Sequence, residues 1–222
     1  MRGYLPRMTA ADSLLFPDIA DGPDFSIEKR LYANGAKYVA GVDEVGRGPL
    51  AGPVVSAAVI LDKDNFPDGL NDSKKLTEQK REALFGEILS SSHVAWASLN
   101  AKTIDEINIR EASLRAMEIA VESLPLSPDE VLIDGRDVPQ ALVSVGTAYV
   151  KGDARSCSIA AASVVAKVIR DRMMKQAGAL FPEYGFAGHK GYGSKSHIEA
   201  IKAHCPCPLH RRSFSPIKQM VE

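Results

Sequence analysis

Stretches of β-branched apolar residues recur along the chain, separated by polar or glycine-rich segments. Residues 38–45 and 53–61 form two such stretches, and the sequence GRGPLAG between them is typical of a turn that joins two strands. Further stretches at 94–99, 131–133 and 142–150 predict three more strands. Because the first strands follow one another and the later ones alternate with helical patterns, we predict an α/β fold, with a mixed five-stranded sheet flanked by helices.

Apolar residues at helical spacing predict helices around this sheet. The longest, over 154–175, contains the run IAAASVVAKVI, whose small residues suit close packing against a sheet. Residues 1–24 are polar, broken by proline and glycine and without periodicity, so we expect a poorly ordered N-terminal extension. A single domain over 25–218, ending in a basic helical part, accounts for the rest. The predicted helices are 25–34, 77–90, 107–124, 154–175 and 194–203.

The composition is that of a globular protein rather than a membrane or secreted one. With 222 residues, of which 45% are hydrophobic, one domain can bury a well-formed core. No apolar run reaches the length of about 18 residues that a membrane helix needs, and the N-terminus lacks the layout of a secretory signal. Three cysteines are too few, and odd in number, for a disulfide scaffold. We therefore expect a cytoplasmic protein without a membrane partner.

Charge is distributed unevenly along the chain, although the net charge is only −1. Residues 151–218 contain twelve lysines and arginines against four acidic residues, so this segment carries +8 and the remainder −9. Such asymmetry can place a basic face for a polyanion beside an acidic cluster for metal ions. It can also arise from chance placement of solvated charges, and charge alone does not decide between the two interpretations.

Two adjacent carboxylates, Asp43 and Glu44, interrupt an otherwise apolar predicted strand. Burying an unpaired carboxylate is costly, so the pair indicates either a metal ion or a strand end where the side chains reach water or Arg47. Neighbouring strand residues point to opposite faces, so both can serve one site only if the chain bends. The glycines at 46 and 48 permit such a bend.

Two further acids follow predicted strands. Asp134 comes directly after the apolar run VLI, and Asp153 follows the next strand in the sequence KGD. Strand ends are where open α/β sheets usually bind ligands, so these acids can converge with the first pair. Carboxylate oxygens suit Mg²⁺ or Mn²⁺, and two such ions held by shared carboxylates are a standard device for attack of water on a phosphodiester.

The motifs around these residues resemble those of one enzyme family. The sequence GVDEVGRGPLAGPV at 41–54 resembles the N-terminal signature of the ribonucleases HII. A lone DE or GRG would carry no information, whereas ordered blocks at family-like spacing are specific. Ser194 stands where the family commonly has threonine, which keeps the hydroxyl, and residues 1–24 fall outside the resemblance. The other matching blocks are NDSKKL (71–76), the strand-end Asp134, KGD (151–153), SIAAASVVAKVIRD (158–171), GHKGYGSKSH (188–197) and HRRSF (210–214).

The resemblance implies a ribonuclease H-like fold with a helical C-terminal extension and assigns roles to particular residues. The turn Gly46–Arg47–Gly48 matches the one that recognises the ribose 2′-hydroxyl, and Tyr192 matches the tyrosine that packs on the sugar beyond the ribonucleotide. Read without the resemblance, Tyr192 would be a half-buried loop aromatic. Lys74 or Lys75 is a candidate for contact with backbone phosphate, although either could be an ordinary surface lysine. The family's catalytic and metal-binding carboxylates match Asp43, Glu44, Asp134 and Asp153.

The activity that the resemblance implies is an endonuclease with two divalent ions, Mg²⁺ or Mn²⁺. Its substrates would be RNA–DNA hybrids and DNA duplexes containing ribonucleotides, cut 5′ of the ribonucleotide to leave a 3′-hydroxyl and a 5′-phosphate. We expect a monomer, and the sequence leaves open whether a sliding clamp recruits it.

Three alternatives compete with this hypothesis. A ribonuclease HIII would carry an additional N-terminal domain, which 24 unpatterned residues cannot supply. A binding module that has lost catalysis is disfavoured because all four carboxylates are present, and a hydrolase of small phosphoesters is disfavoured by the basic segment and Tyr192. A zinc site is not expected, because prolines at 206 and 208 make a closed tetrahedral site awkward. The residues that could have formed it are His204, Cys205, Cys207 and His210.

Overall fold

The computed structural model describes residues 22–221. Five strands form one mixed sheet in the order β3-β2-β1-β4-β5, which confirms the predicted fold class. Strand β2 runs antiparallel to both of its neighbours, β1 and β3, whereas β4 and β5 run parallel to β1. The last strand is shorter than predicted because Gln140–Leu142 forms a turn of 3-10 helix before it. The strands are β1 (Val39–Val45), β2 (Val54–Leu61), β3 (Ser92–Leu99), β4 (Glu130–Asp134) and β5 (Gly146–Tyr149).

Helices cover both faces of the sheet, and β2 is therefore buried along its whole length. Helix α5 (Cys157–Leu180) packs on one face together with α2 (Glu78–Ser91). The opposite face is covered by α4 (Ile109–Glu122). At Gly41 an added Cβ would lie 2.0 Å from the carbonyl carbon of Ser158, so the backbones of β1 and α5 are in direct contact. This contact explains the small residues at the start of α5.

Several helix boundaries differ from the prediction for identifiable reasons. The predicted helix 107–124 corresponds to α4, which begins only after the chain turns at Asn108 (φ 66°), whose side chain caps it. A separate helix that was not predicted, α3 (Ala101–Ile107), precedes this turn. Helix α5 begins three residues later than predicted, since the Ser156 side chain accepts a hydrogen bond from the Ile159 amide and caps it there. It also continues five residues beyond the predicted end at 175.

The C-terminal segment is packed against the domain rather than extended from it. A cluster of buried residues, including Tyr184, Phe186, Ile201 and Ile217, contacts Leu50 in the turn between β1 and β2. The predicted helical C-terminal part is thereby confirmed. Its helices are α6 (Phe186–His189), α7 (Lys195–His204) and α8 (Ile217–Val221).

At the other end of the described chain, Ser26–Ala33 forms α1, and Asp24 pairs with Ser156 beside the start of α5. Most of the expected N-terminal extension, residues 1–21, lies outside the described residues, so the boundary at residue 24 stays a prediction. None of the helices in residues 22–221 is long and apolar enough to span a bilayer.

Candidate active site

Three of the predicted carboxylates lie at one edge of the sheet. Val42 pairs with Ile133 in the parallel β1–β4 ladder, so Asp43 and Asp134 follow at the same end of adjacent strands. Asp153 lies in a turn of 3-10 helix after β5 and is buried. The backbone amide of Gly152, its neighbour, donates a 2.7 Å hydrogen bond to Oδ1 of Asp134. The sheet topology thus gathers acids that are up to 110 residues apart in sequence.

Glu44 joins this edge although it follows Asp43 directly in the strand. One carboxylate oxygen of Glu44, Oε1, accepts a 3.2 Å hydrogen bond from the exposed guanidinium of Arg47. The other, Oε2, is buried and has no hydrogen-bond partner. Arg47 therefore satisfies only half of this carboxylate, and a buried acceptor is left that a cation could satisfy.

The electrostatics of the edge reflect uncompensated negative charge. Burial raises the pKa of Asp43 well above its usual range, and the charges of Glu44, Asp134 and Asp153 raise it further. Burial is also the main cause of the raised pKa of Glu44, where Arg47 acts in the opposite direction, and of Asp153. Burial and neighbouring negative charge thus destabilise the charged forms of Asp43, Glu44 and Asp153, and a bound cation would reduce that penalty.

The donor set fits a hard divalent cation such as Mg²⁺ or Mn²⁺, because it consists of carboxylate oxygens and includes the unpartnered Oε2 of Glu44. Within residues 22–221, however, no group of three or more histidine, cysteine, aspartate or glutamate side chains is close enough to chelate an ion as it stands. The carboxylates lie at one edge of the sheet but do not form a ready chelating group, and the repulsion between their negative charges favours this separation.

The loop that contains NDSKKL adds two residues to this edge. After burial and Asp134, the Asp72 carboxylate is the next cause of the raised pKa of Asp153. Partial burial alone would lower the pKa of Lys74, but the charges of Asp72, Asp43 and other acids at the edge outweigh it and raise that pKa. Lys75 is exposed, and only its backbone amide is engaged, donating to the Asp72 carbonyl. Of the two lysines predicted to contact phosphate, Lys74 is the one that lies within the electrostatic influence of the carboxylates.

Asp72 was not predicted as a site residue. It lies in a motif block that the resemblance had already matched, but that block was interpreted only for its lysines. The loop is anchored to α5 by a 2.9 Å hydrogen bond between the buried hydroxyls of Ser73 and Ser163. Such a contact across 90 residues leaves no periodic signal in the sequence.

The glycine-rich turn between β1 and β2 is held by two fully buried arginines. Arg170, on α5, donates to the carbonyls of Pro53, Ala51 and Lys190 at 2.9–3.2 Å. Arg211, in the C-terminal segment, donates to the carbonyls of Gly46, Arg47 and Gly52. Burial, reinforced by the charge of Arg170, lowers the pKa of Arg211 well below its usual range. Charge-assisted hydrogen bonds from the two arginines, five of whose six acceptor carbonyls belong to the turn, offset the burial of both guanidinium groups and fix the turn.

Tyr192 lies directly beside this turn. Its side chain is 46% exposed, and a Cβ added at Gly48 would lie 3.9 Å from Cε1 of its ring. The backbone supports this placement, because the Leu50 amide donates a 2.8 Å hydrogen bond to the carbonyl of Gly191. The structure therefore brings together the glycine turn and Tyr192, the two elements that the resemblance assigns to sugar recognition. The turn also contacts the carboxylates, because its Arg47 donates a hydrogen bond to Glu44.

The basic segment 151–218 is less available to a polyanion than its formal charge indicates. Arg170 and Arg211 are fully buried, and their burial was not predicted because charged residues usually lie at the surface. Four more basic residues form ion pairs with acids. The partners of two of these residues belong to the segment and are already counted in the +8, whereas Glu78 and Glu82 lie outside it. The two buried arginines and the two pairs with Glu78 and Glu82 therefore lower the charge that the segment presents below +8. The four ion-paired residues are Lys167, Arg172, Lys175 and Lys195.

The candidate zinc ligands have other surroundings. His204 and Cys205 are exposed, whereas Cys207 and His210 are buried. The Cys207 amide donates a 3.0 Å hydrogen bond to Nδ1 of His210, and the other ring nitrogen of His210 lies 3.1 Å from Nε2 of His197. Both nitrogens of His210 are therefore engaged within the protein.

Comparison with known proteins identifies the family. The family model described as Ribonuclease HII matches residues 40–217. The ribonuclease HII of Rhizobium meliloti (strain 1021) is 56% identical over 97% of this chain and 100% of its own length. The ribonuclease H2 structure of Pyrococcus horikoshii OT3 has a TM-score of 0.71 and 30% identity, over 82% of this chain and 96% of that one. The RNase HII of Archaeoglobus fulgidus, solved in complex with PCNA, has a TM-score of 0.68 and 28% identity, over 80% of this chain and 95% of that one. The chain therefore belongs to the ribonuclease HII family and is a ribonuclease.

Proposed function

We propose that this ribonuclease hydrolyses the RNA strand of RNA–DNA hybrids and cuts duplex DNA on the 5′ side of an embedded ribonucleotide, leaving a 3′-hydroxyl and a 5′-phosphate. One observation supports this most strongly. An edge of four carboxylates, of which Asp43 and Asp153 are buried, lies next to a glycine turn that faces a half-exposed tyrosine. A phosphodiester at the carboxylates would thus have its neighbouring sugars at the turn and the tyrosine, which is what recognition of one ribonucleotide requires.

The carboxylates of Asp43, Glu44, Asp134 and Asp153 would hold two divalent ions, Mg²⁺ or Mn²⁺. Bound there, the ions would supply an activated water and stabilise the charge on the leaving 3′-oxygen. The chain's own contribution is to fix these acids: the Gly152 amide holds Asp134, and Arg47 holds one oxygen of Glu44. Lys74, drawn towards the acids by their charge, is placed to balance a phosphate beside them.

Sugar recognition is assigned to the turn Gly46–Arg47–Gly48 and to Tyr192. Gly48 has open space above it apart from the Tyr192 ring, so a ribose can approach the backbone there closely. The 2′-hydroxyl distinguishes RNA from DNA at this position. Tyr192 would then pack on the following sugar and favour deoxyribose.

We further propose a monomeric, cytoplasmic enzyme. All the site residues named above belong to one chain, which supports a monomer, and all three cysteines are free thiols, which suits a reducing compartment. A contact with a sliding clamp is proposed on the precedent of the Archaeoglobus relative, which was solved in complex with PCNA.

The proposed activity is tested with three substrates: a DNA duplex carrying one ribonucleotide, a continuous RNA–DNA hybrid and an all-DNA duplex, each with and without Mg²⁺. We expect cleavage of the first two only, dependent on Mg²⁺, with the single-ribonucleotide duplex cut 5′ of the ribonucleotide. Efficient cleavage of the hybrid with none of the single-ribonucleotide duplex would indicate an activity of the ribonuclease HIII kind. Binding without cleavage, or hydrolysis of small phosphoesters alone, would contradict the proposal.

Substitution of Tyr192 tests how recognition is divided. Tyr192→Ala should lower cleavage of the single-ribonucleotide duplex relative to the continuous hybrid by about tenfold, because only the former offers a deoxyribose after the ribonucleotide. Burying a large apolar side chain against such a sugar contributes about 1.5–3 kcal/mol. The measurement is kcat/KM for both substrates with purified, folded variant. If both values fall equally, Tyr192 only packs its own loop.

A further inference from the structure

Three histidines surround the backbone that carries Tyr192, and each of their ring nitrogens has a partner. His189 accepts a 3.1 Å hydrogen bond at Nδ1 from the Gly191 amide, and its Nε2 lies 2.7 Å from the carbonyl of Tyr184. Since a carbonyl only accepts, His189 carries its proton on Nε2. Its ring stacks on that of His197, with 4.3 Å between the centroids. His189 is thereby a neutral histidine in one tautomer.

The same reasoning fixes the tautomers of His197 and His210. Nδ1 of His197 lies 2.8 Å from the carbonyl of Tyr192 and must donate to it, which leaves Nε2 of His197 as an acceptor. Nδ1 of His210 accepts from the Cys207 amide, so the proton of His210 is on Nε2, which lies 3.1 Å from Nε2 of His197. A continuous chain of hydrogen bonds therefore runs from Cys207 through His210 and His197 to Tyr192.

This chain requires both histidines to be neutral, since an added proton would leave no acceptor between them. Both rings are buried. Burial lowers the pKa of His197, and burial together with His197 lowers that of His210 to about 4. The arrangement is thus stable at neutral pH, and it holds one particular group, the carbonyl of Tyr192.

The Tyr192 backbone is held on both sides. Its amide donates to the carbonyl of His189 at 3.0 Å, and its carbonyl accepts from Ser194 as well as from His197. The side chain itself is half exposed, so the position of the ring over Gly48 depends on this backbone. His197 belongs to the first turn of α7, which immediately follows the tyrosine loop and provides a rigid support.

We propose that His197 is a positioning residue for Tyr192, kept in the donating tautomer by His210, and that it thereby sets how strictly the enzyme discriminates the sugar after the ribonucleotide. This rests on the role proposed above for Tyr192. His197 touches neither substrate nor the carboxylates; it acts by fixing the Tyr192 carbonyl. Its loss should therefore change the ratio of the two activities rather than the chemistry common to both.

The test compares two substitutions of His197. His197→Asn can retain a donor near the position of Nδ1, whereas His197→Leu removes it. We expect His197→Leu to lower the ratio of kcat/KM for the single-ribonucleotide duplex to that for the continuous hybrid by about three- to tenfold, the equivalent of one hydrogen bond. His197→Asn should stay within about twofold of the wild type. His204→Ala, an exposed histidine at the end of the same helix, should not change the ratio.

The double variant with Tyr192→Ala separates positioning from general damage. If His197 acts through Tyr192, His197→Leu should change the ratio no further once the ring is absent. A further fall in that background, or an unchanged ratio in His197→Leu alone, would overturn the inference. Partial unfolding cannot imitate the effect, because a smaller folded fraction lowers both activities equally.

Two outcomes distinguish this inference from the proposed function. If Tyr192→Ala leaves the ratio unchanged, the junction-reading role fails, and the effect of His197 on specificity fails with it. If Tyr192→Ala lowers the ratio but His197→Leu does not, only the positioning role is overturned. Nitrogen-15 spectra of the histidine rings give a readout without activity: at neutral pH His197 should carry its proton on Nδ1 and His210 on Nε2, and the reverse tautomers would contradict the inference.

Discussion

Asp43→Asn is expected to abolish cleavage of both substrates while leaving the fold intact. The substitution removes a charged ligand from the carboxylate edge, where bound ions would contribute several kcal/mol to the transition state, so we expect a loss of about a thousandfold or more in kcat. Stability should respond in the opposite sense. Asp43 is buried among like charges that raise its pKa, so a neutral amide should leave the melting temperature of the metal-free protein unchanged or higher.

The control for this experiment is Asp137→Asn. Asp137 lies three residues after the proposed site residue Asp134, but it is exposed and paired with Arg110, so its substitution should leave kcat within about twofold. Wild-type activity should vanish with a chelator and return with Mg²⁺ or Mn²⁺. Full activity of Asp43→Asn, or activity that resists chelation, would refute the two-ion mechanism.

Alanine at Gly46 and at Gly48 should produce different defects although the two glycines are two residues apart. At Gly46, φ is +96° and an added Cβ would lie 2.3 Å from Nε of Arg170, so Gly46→Ala should destabilise the fold by about 2–4 kcal/mol. At Gly48 the nearest atom is Cε1 of Tyr192, at 3.9 Å, and the backbone is not in the left-handed region. Gly48→Ala should therefore fold normally, yet lower kcat/KM for both substrates by about tenfold or more, because its methyl group occupies the space that the ribose needs.

The two variants, Gly46→Ala and Gly48→Ala, are compared by thermal unfolding, which gives their stability, and by kcat/KM for both substrates. The resemblance assigns sugar recognition to the whole turn Gly46–Arg47–Gly48 and does not distinguish its two glycines. In the structure a methyl group at position 46 would meet Arg170, so position 48 provides the direct test of sugar approach. Normal activity of a well-folded Gly48→Ala enzyme would show that the ribose does not approach this surface.

Much of the site was accessible from the sequence because acids at the ends of apolar strands are conspicuous. Asp43, Asp134 and Asp153 interrupt or follow β-branched runs, and sheet topology then brings them to one edge. The reach of Arg47 to only one oxygen of Glu44 depends on rotamers and burial, which the sequence does not specify.

The residues that sequence reasoning missed have partners without a sequence signature. Arg170 and Arg211 bind backbone carbonyls, and no acidic residue at a regular spacing marks them as buried. Asp72 acts from an irregular loop held by two serines. The break between α3 and α4 depends on one residue with a positive φ, Asn108, and no spacing of apolar residues marks that backbone conformation in the sequence.

The two buried arginines also determine when the glycine turn becomes ordered. Glycine loses more conformational freedom on ordering than any other residue, so a turn that became ordered only on binding substrate would weaken the recognition of a small group. Here the carbonyls of Gly46, Arg47, Ala51, Gly52 and Pro53 are already bonded to guanidinium groups in the free protein. The entropy loss is therefore incurred during folding. If the turn reads the 2′-hydroxyl as proposed, the modest binding energy of that single group would then not be spent on ordering the turn and would contribute to selectivity for ribose over deoxyribose.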